Sequence, residues 1–323
     1  MSKITRTWLI VATALLSVGV IMFASLMTAL NWDFSKLNTE KYHDVTHEIR
    51  EDFNNISISV DTSDIVIVPS TCDNTKIVCH EQEKLAHTVE VVDGVLNITT
   101  DDARKWYDHI SIFSFTSPKI TIHLPKAEYK ALTIKADTGD VKITKDFTFE
   151  SINIKTDTGD VTNSASVVTL LDIETDTGDV RLNNLSAGEI KVSTSTGDLD
   201  ANQIRCDQTI SLNTNTGDVE LVDVNCTSLT SLGDTGDLTI KQVVASEKFY
   251  ITRDTGEVEL YKSDANEIYI KTDTGDVEGV LLSEKVFTIK TDTGDVRVPN
   301  SSSGGKCEII TDTGDIEIFI ARN

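Results

Sequence analysis

Between Asp137 and Asp315 the chain writes one four-residue phrase ten times, Asp-Thr-Gly-Asp or a close variant, with glycines at 139, 159, 178, 197, 217, 236, 256, 275, 294 and 314. The spacing is always 19 or 20 residues. A period this regular marks one supersecondary unit stacked on copies of itself, so most of the chain is a repeat array and not a globular enzyme domain. Any chemistry at the phrase is therefore ten-fold.

Aligning the copies on their glycines exposes the unit. Seven residues before the glycine stand Leu132, Ile152, Leu171, Ile190, Ile210, Leu229, Phe249, Ile268, Phe287 and Cys307, and five before it an apolar residue in every copy except Ser231. Largely polar residues separate them, and two after the glycine comes Val, Leu or Ile each time, from Val141 to Ile316. Period two on both sides means strand, turn, strand with one face buried. In a parallel β-solenoid such strands stack like on like at about 4.8 Å, and ten coils make a rod about 48 Å long. In an antiparallel alternative, Asp-Thr-Gly is a three-residue hairpin loop closed by a left-handed glycine. Recurrence of residue identity at each slot favours the solenoid. The expected fold class is all-β, a solenoid of about ten coils behind an irregular N-terminal β cap and one transmembrane helix.

Trp8 to Leu30 carries no charge over 23 residues, enough to cross a bilayer as a helix. Lys3 and Arg6 precede it and Asp33 follows, which places residues 1–7 in the cytoplasm and everything beyond Leu30 outside the cell. A cleaved signal peptide has a shorter apolar region and a small-x-small site, for which Thr28-Ala29-Leu30 is a poor match. An uncleaved anchor at 8–30 is expected, in the cell membrane, single-pass. The net charge of −23 makes nucleic acid an improbable partner, since phosphate neutralisation needs basic patches.

Residues 31–50 are polar and suit a stalk. From 51 to 131 strand signals are irregular and read as a cap over the first coil. Ile56 to Ile67 is a degenerate first repeat around Asp61-Thr62-Ser63-Asp64, with Ser63 standing 76 residues, four periods of 19, before Gly139. Val89 to Thr99 reads as a hairpin turning at Asp93-Gly94, and Lys119 to Pro125 as a further strand. The regular solenoid then runs over 132–323.

Position one of the phrase is Asp in eight copies and Ser195 or Asn215 in two. These side chains share an oxygen that can accept a backbone hydrogen bond in a turn, and do not share a charge. Position four is acidic in every copy: Asp140, Asp160, Asp179, Asp198, Asp218, Asp237, Glu257, Asp276, Asp295 and Asp315. Carboxylates stacked at about 4.8 Å repel by about 0.9 kcal/mol even at the dielectric of water. Solvent screening is one answer. A calcium ladder bridging successive coils is the functional alternative, making these ten acids the candidate metal ligands and calcium the one candidate cofactor. Lys135, Lys155, Lys271 and Lys290, each four before its glycine, offer a third source of compensation.

Asp-Thr-Gly is also the tripeptide of aspartic proteases, but ten copies at a repeat corner match a single dyad poorly. No catalytic residues are expected. A polysaccharide lyase or hydrolase is the better enzyme alternative. It would show as clustered departures from the repeat facing one groove, and the candidates are Leu232-Gly233, Arg253 to Glu257 and Gly279. All six histidines, His43, His47, His80, His87, His109 and His123, precede the first full repeat. His43 and His47 read as part of the solvated stalk. Cys72 with Cys79, and Cys206 with Cys226 in adjacent coils, are spaced either for disulfides or for buried free thiols.

An N-terminal anchor, the strand Ser117-Pro118-Lys119-Ile120-Thr121-Ile122-His123-Leu124-Pro125 leading into Leu132-Thr133-Ile134, and serial strand-Thr-Gly-Asp-Val units resemble the bacterial putative-adhesin β-strand-repeat family, a domain of unknown function that includes LiaG-like membrane-anchored envelope proteins. The resemblance covers about 50 to 323. It implies a solenoid displayed at the envelope, with no established catalytic residues and a link to envelope stress. The expected function is a non-enzymatic surface scaffold or adhesin, meeting wall polymer, matrix or a surface protein through its polar strand faces. A bare last coil ending at Asn323 is expected to favour end-to-end self-association.

Overall fold

The computed structural model describes residues 3–32, 42–72, 74–82, 85–102 and 117–321. One helix, Lys3–Ala29, precedes 23 strands joined in a single hydrogen-bonded sheet system. From Glu128 onward every pairing is parallel, and through the central coils it joins residues one repeat apart: Ile152 lies between Leu132 and Leu171, and Val161 between Val141 and Val180. The strands flanking each phrase pair with neighbouring coils and not with each other, which excludes the hairpin alternative. The chain is a β-solenoid.

A central coil has three straight runs, seen in Val180–Thr196 as 180–183, 185–187 and 190–196. The bends between them fall at Asn184, held at φ 51°, and around Gly188. The phrase closes the coil at its third bend. Inward positions form columns: Ile152, Leu171, Ile190, Ile210, Leu229 and Phe249 are all buried, as are Ile154, Ile173, Val192, Leu212, Ile251 and Ile270. Each such side chain contributes about 1.5–3 kcal/mol by leaving water, and the β-branched members suit the extended backbone.

The glycine bend sets the stack. Gly178 has φ 148°, and a Cβ built there would lie 2.1 Å from the carbonyl oxygen of Gly159 in the coil below. Gly178 N–H meanwhile donates to Thr196 O of the coil above at 2.9 Å. Only a residue without a side chain permits this approach. Ser63 occupies the same column, its carbonyl 2.3 Å from the Cβ position of Gly139, and Ile56 and Thr62 pair with Leu132 and Thr138. The degenerate first repeat thus stacks directly on the coil of Gly139, and the described residues between Pro69 and Glu128 are extruded from the array.

Those residues build the cap. Asn55–Thr62 and Asp64–Pro69 are covered in parallel by Val95–Asp102 and Lys119–Leu124. Beyond them lie antiparallel strands: Leu85–Val92 on Val95–Asp102, joined by the expected Asp93-Gly94 turn, and Thr75–Gln82 on Lys119–Leu124. Tyr42–Ile49 pairs antiparallel with Thr75–Gln82. The later part of the segment expected as a stalk is therefore an outer strand of the cap. Its alternation is weak because it lies at the edge of the cap and none of its residues is fully buried.

The far end departs from sequence order. Gly305–Thr313 pairs with Val258–Thr274 on one side and Lys285–Thr293 on the other. The last coil is inserted between its two predecessors, and the open edge belongs to 285–297, not to the coil ending near Asn323. The longer connection Val298 to Gly304 makes the return. Gly304 (φ 104°) and Gly305 would each place a Cβ 1.8 Å from a neighbouring carbonyl, of Glu284 and Asn266 respectively. Beside this crossing Lys285, 2% exposed, pairs with Asp264 at 2.6 Å.

Two outcomes are expected. Gly178→Ala destabilises by at least about 1–3 kcal/mol from backbone strain alone, more from the carbonyl contact, and lowers the thermal midpoint, whereas Gly19→Ala, with nothing within 4 Å, does not. Truncation after 304 removes the support of 285–297, so proteolysis of the truncated chain should cleave within 282–304 as well; retained protection there would refute the inserted order.

Candidate functional site

The ten position-four acids form a continuous ridge, and eight of their carboxylates accept a backbone N–H from the next coil, all but Glu257 and Asp295 among the described residues. The backbone N–H of Asp160 donates to Oδ1 of Asp140 at 2.9 Å, that of Asp179 to Asp160 at 3.0 Å, and the series continues through Asp198, Asp218, Asp237 and Glu257. It follows the spatial order at the far end, Asp315 N–H to Asp276 and Asp295 N–H to Asp315, both at 2.7 Å. It begins one rung earlier than the regular phrase, with Asp140 N–H to Asp64 Oδ1 at 3.1 Å. Asp64 was legible in the degenerate Asp-Thr-Ser-Asp copy.

These are charge-assisted bonds to carboxylate, stronger than neutral ones. They explain why an acid recurs at position four, and they assign to it the backbone-acceptor role that residue variation had suggested for position one. The lysines four before the glycine engage other acids: Lys155 bonds Glu174 at 2.7 Å and Lys271 bonds Asp273 at 2.9 Å. Arg181 alone bridges the ridge, at 3.2 Å from Asp160 and 2.6 Å from Asp179. Its bond to Asp160 holds its proton more firmly than usual. At Glu257 the extra methylene changes the geometry: among the described residues no amide bonds its carboxylate. Burial first, and then Glu278, Asp237 and Asp276, raise its pKa.

Of the departures named as a possible active site, Leu232 is exposed and Arg253 turns inward. Arg253 replaces the buried threonine that recurs three before the glycine and is itself 2% exposed. Gly233 in the adjacent coil makes room for it, since a Cβ there would lie 1.7 Å from Arg253 Nη1, and Ser231 Oγ accepts from Nη2 at 3.0 Å. Burial lowers the guanidinium pKa to about 10. Ser231, Gly233 and Arg253 are one compensated packing unit in the core, and Gly279 sits against Leu260 Cβ and backbone. None of them shapes an external groove.

The cysteines are free thiols, Cys72 exposed and the other four buried. Burial pushes Cys226 up to about 12, with Cys206 beside it adding to the rise. His109 lies outside the described residues. His43, His47, His80, His87 and His123 all stand on cap strands, so His43 and His47 are cap residues and not a stalk.

A family model described as Toastrack DUF4097 matches residues 53–208, 145–228 and 203–323. The chain belongs to the Toastrack family. Its fold is similar to a crystal structure described as a putative lipid binding protein from Parabacteroides distasonis, with 16% identity, 86% of this chain and 98% of that one covered, and a TM-score of 0.49. Another similar structure is a putative adhesin from Bacteroides fragilis, at 16% identity, 85% and 97% coverage and a TM-score of 0.43. No curated protein matches the chain.

The ridge yields a graded prediction. Asp198→Ala removes the acceptor of the Asp218 amide and costs about 1 kcal/mol, whereas Asp198→Asn keeps an acceptor oxygen and costs less, as read from thermal midpoints. Because the amides already occupy Oδ1, calcium against chelator should leave the midpoint of the intact chain unchanged. A rise of many degrees would show ions held by the remaining oxygens of the folded ridge.

Proposed function

We propose that this protein is a membrane-tethered, extracytoplasmic scaffold that engages a surface polymer or protein through the outer faces of its coils, without catalysis. The observation that carries this reading is the pairing of two parts. Thr5–Ala29 is long and apolar enough to cross a membrane, and its side chains, Leu15, Leu16, Ile21 and Met22 among them, are exposed to whatever surrounds it. The body that follows repeats one corner without a break that would single out a reactive coil.

The basic residues before the helix favour a cytoplasmic N-terminus, which puts the solenoid outside. There the outer strand faces carry ion-paired rows such as Lys155 with Glu174, and one aromatic platform. Tyr250 and Tyr269 stack in adjacent coils with ring centroids 5.1 Å apart and an 11° interplanar angle. Stacked rings on a polar rod, Tyr250 exposed and Tyr269 half-buried, offer flat apolar area beside hydrogen-bonding groups, the combination that sugar rings and peptide side chains both use. The acidic ridge disfavours anionic polymers, so a neutral or cationic partner fits best.

In intact cells a C-terminal epitope is expected to be cleaved by added protease and to pellet with membranes under alkaline extraction. Deleting residues 3–29 should abolish that retention. Protection of the epitope in intact cells, with release only on lysis, would overturn the orientation.

A further inference from the structure

At the N-terminal cap four side chains that the repeat does not use converge. Cys79 and Glu81, two apart on Thr75–Gln82, share one face of their strand, and His87 enters from Leu85–Val92. They are 0%, 3% and 5% exposed, and their sulfur, oxygen and nitrogen ligand atoms all lie within 4.8 Å of one another. His43, on Tyr42–Ile49, reaches Glu81 from the surface, Nε2 to Oε1 at 3.9 Å.

Polar contacts already aim the imidazole. Ser63 Oγ lies 2.7 Å from Thr62 O and 2.9 Å from His87 Nε2. His87 Nδ1 lies 2.8 Å from Glu81 Oε2, which also accepts the backbone N–H of His87 at 2.7 Å. Thiol, carboxylate and ring nitrogen are thus gathered in one buried pocket with an outer partner on the far side of the ring.

We propose that Cys79, Glu81 and His87, with His43 as fourth donor, form a binding site for a thiophilic divalent cation of the zinc class. One thiolate, one carboxylate and two imidazoles suit four-coordinate zinc at about 2.0–2.3 Å. Tetrahedral geometry at those bond lengths separates adjacent N and O ligands by about 3.3 Å, so the Nδ1 to Oε2 contact opens by about half an ångström. Ser63 is then the outer partner that holds Nε2–H and aims Nδ1, as metal-bound histidines require.

The charge balances. Without metal the thiol is neutral, burial and Glu81 pushing Cys79 up to about 12. The entering dication displaces the Cys79 thiol proton to solvent, and thiolate and carboxylate together neutralise its two charges. The half-exposed His43 marks the entry. Since His43 belongs to the outermost strand of the cap, the bound ion would fasten that strand to the strands beneath it.

The test uses the full chain in detergent, with Cys72→Ser to remove the exposed thiol, stripped with chelator and titrated with cobalt and then zinc. One equivalent of cobalt should bind with thiolate-to-cobalt absorption and be displaced by zinc. Cys79→Ser should abolish the absorption. Ser63→Ala should keep it and weaken binding by about 10–100-fold. No cobalt uptake, or absorption that survives Cys79→Ser, overturns the proposal. Should Cys79→Ser fail to fold, X-ray absorption of the zinc-loaded chain with Cys79 intact decides: one sulfur at about 2.3 Å supports the site, and a sulfur-free shell overturns it.

Discussion

Everything regular in this molecule depends on one close approach, the carbonyl of each corner residue lying where the Cβ of the next corner would be. The contact admits glycine in the upper coil and brings the Gly N–H and Thr carbonyl of successive coils to 2.9 Å or 3.0 Å. It also explains where the chain tolerates variation. Insertions can leave the array between two corners, as residues 70–127 do, because the corners on either side still stack. A side chain at the corner is accepted only at Ser63, in the first rung of that column.

The aspartates turn the same corner into a register lock. An acid ridge is costly if its charges face one another across a coil spacing, but an amide N–H lies between successive pairs at every step except that from Glu257 to Asp276. A shift of one residue would break both the glycine contact and the carboxylate bond, so the two features reinforce one register. The ridge is therefore first a product of stacking. Its outward oxygens give the rod its acidic character without a dedicated reactive position.

The repeat period, the alternation and the corner glycines were legible because each rests on local chemistry multiplied ten-fold. So was the place of Ser63, since four exact periods separate it from Gly139. The role of position four was only half legible: the acid requirement shows in the sequence, but its partner is an amide one coil away, which no local pattern reveals. Arg253 was visible as an oddity, and its meaning required seeing Gly233 beside it. The cap cluster escaped because Ser63, Cys79, Glu81 and His87 are joined only after antiparallel strands fold over the first coil. Cys79 and Glu81, two apart and so on one face of a strand, were the available signal.

The coil order at the two ends shows how a finite solenoid avoids fraying. In both places a coil is held between two others, Asn55–Pro69 at one end and 305–320 at the other. A last coil stacked in sequence order would have one neighbour and could peel off one residue at a time. Here 305–320 is internal and the outermost coil, 285–297, is covalently continuous on both sides, whereas at the cap Tyr42–Ile49 remains an outer strand. The ends differ in cover. Antiparallel strands continue the pairing beyond the first end and change the direction of its edge, whereas Lys285–Thr293 keeps an open parallel edge with Val286 and Val296 exposed. An uncovered edge of that kind can accept a further strand, and it lies at the opposite end of the rod from the cap. Any strand added there would extend the solenoid away from the cap.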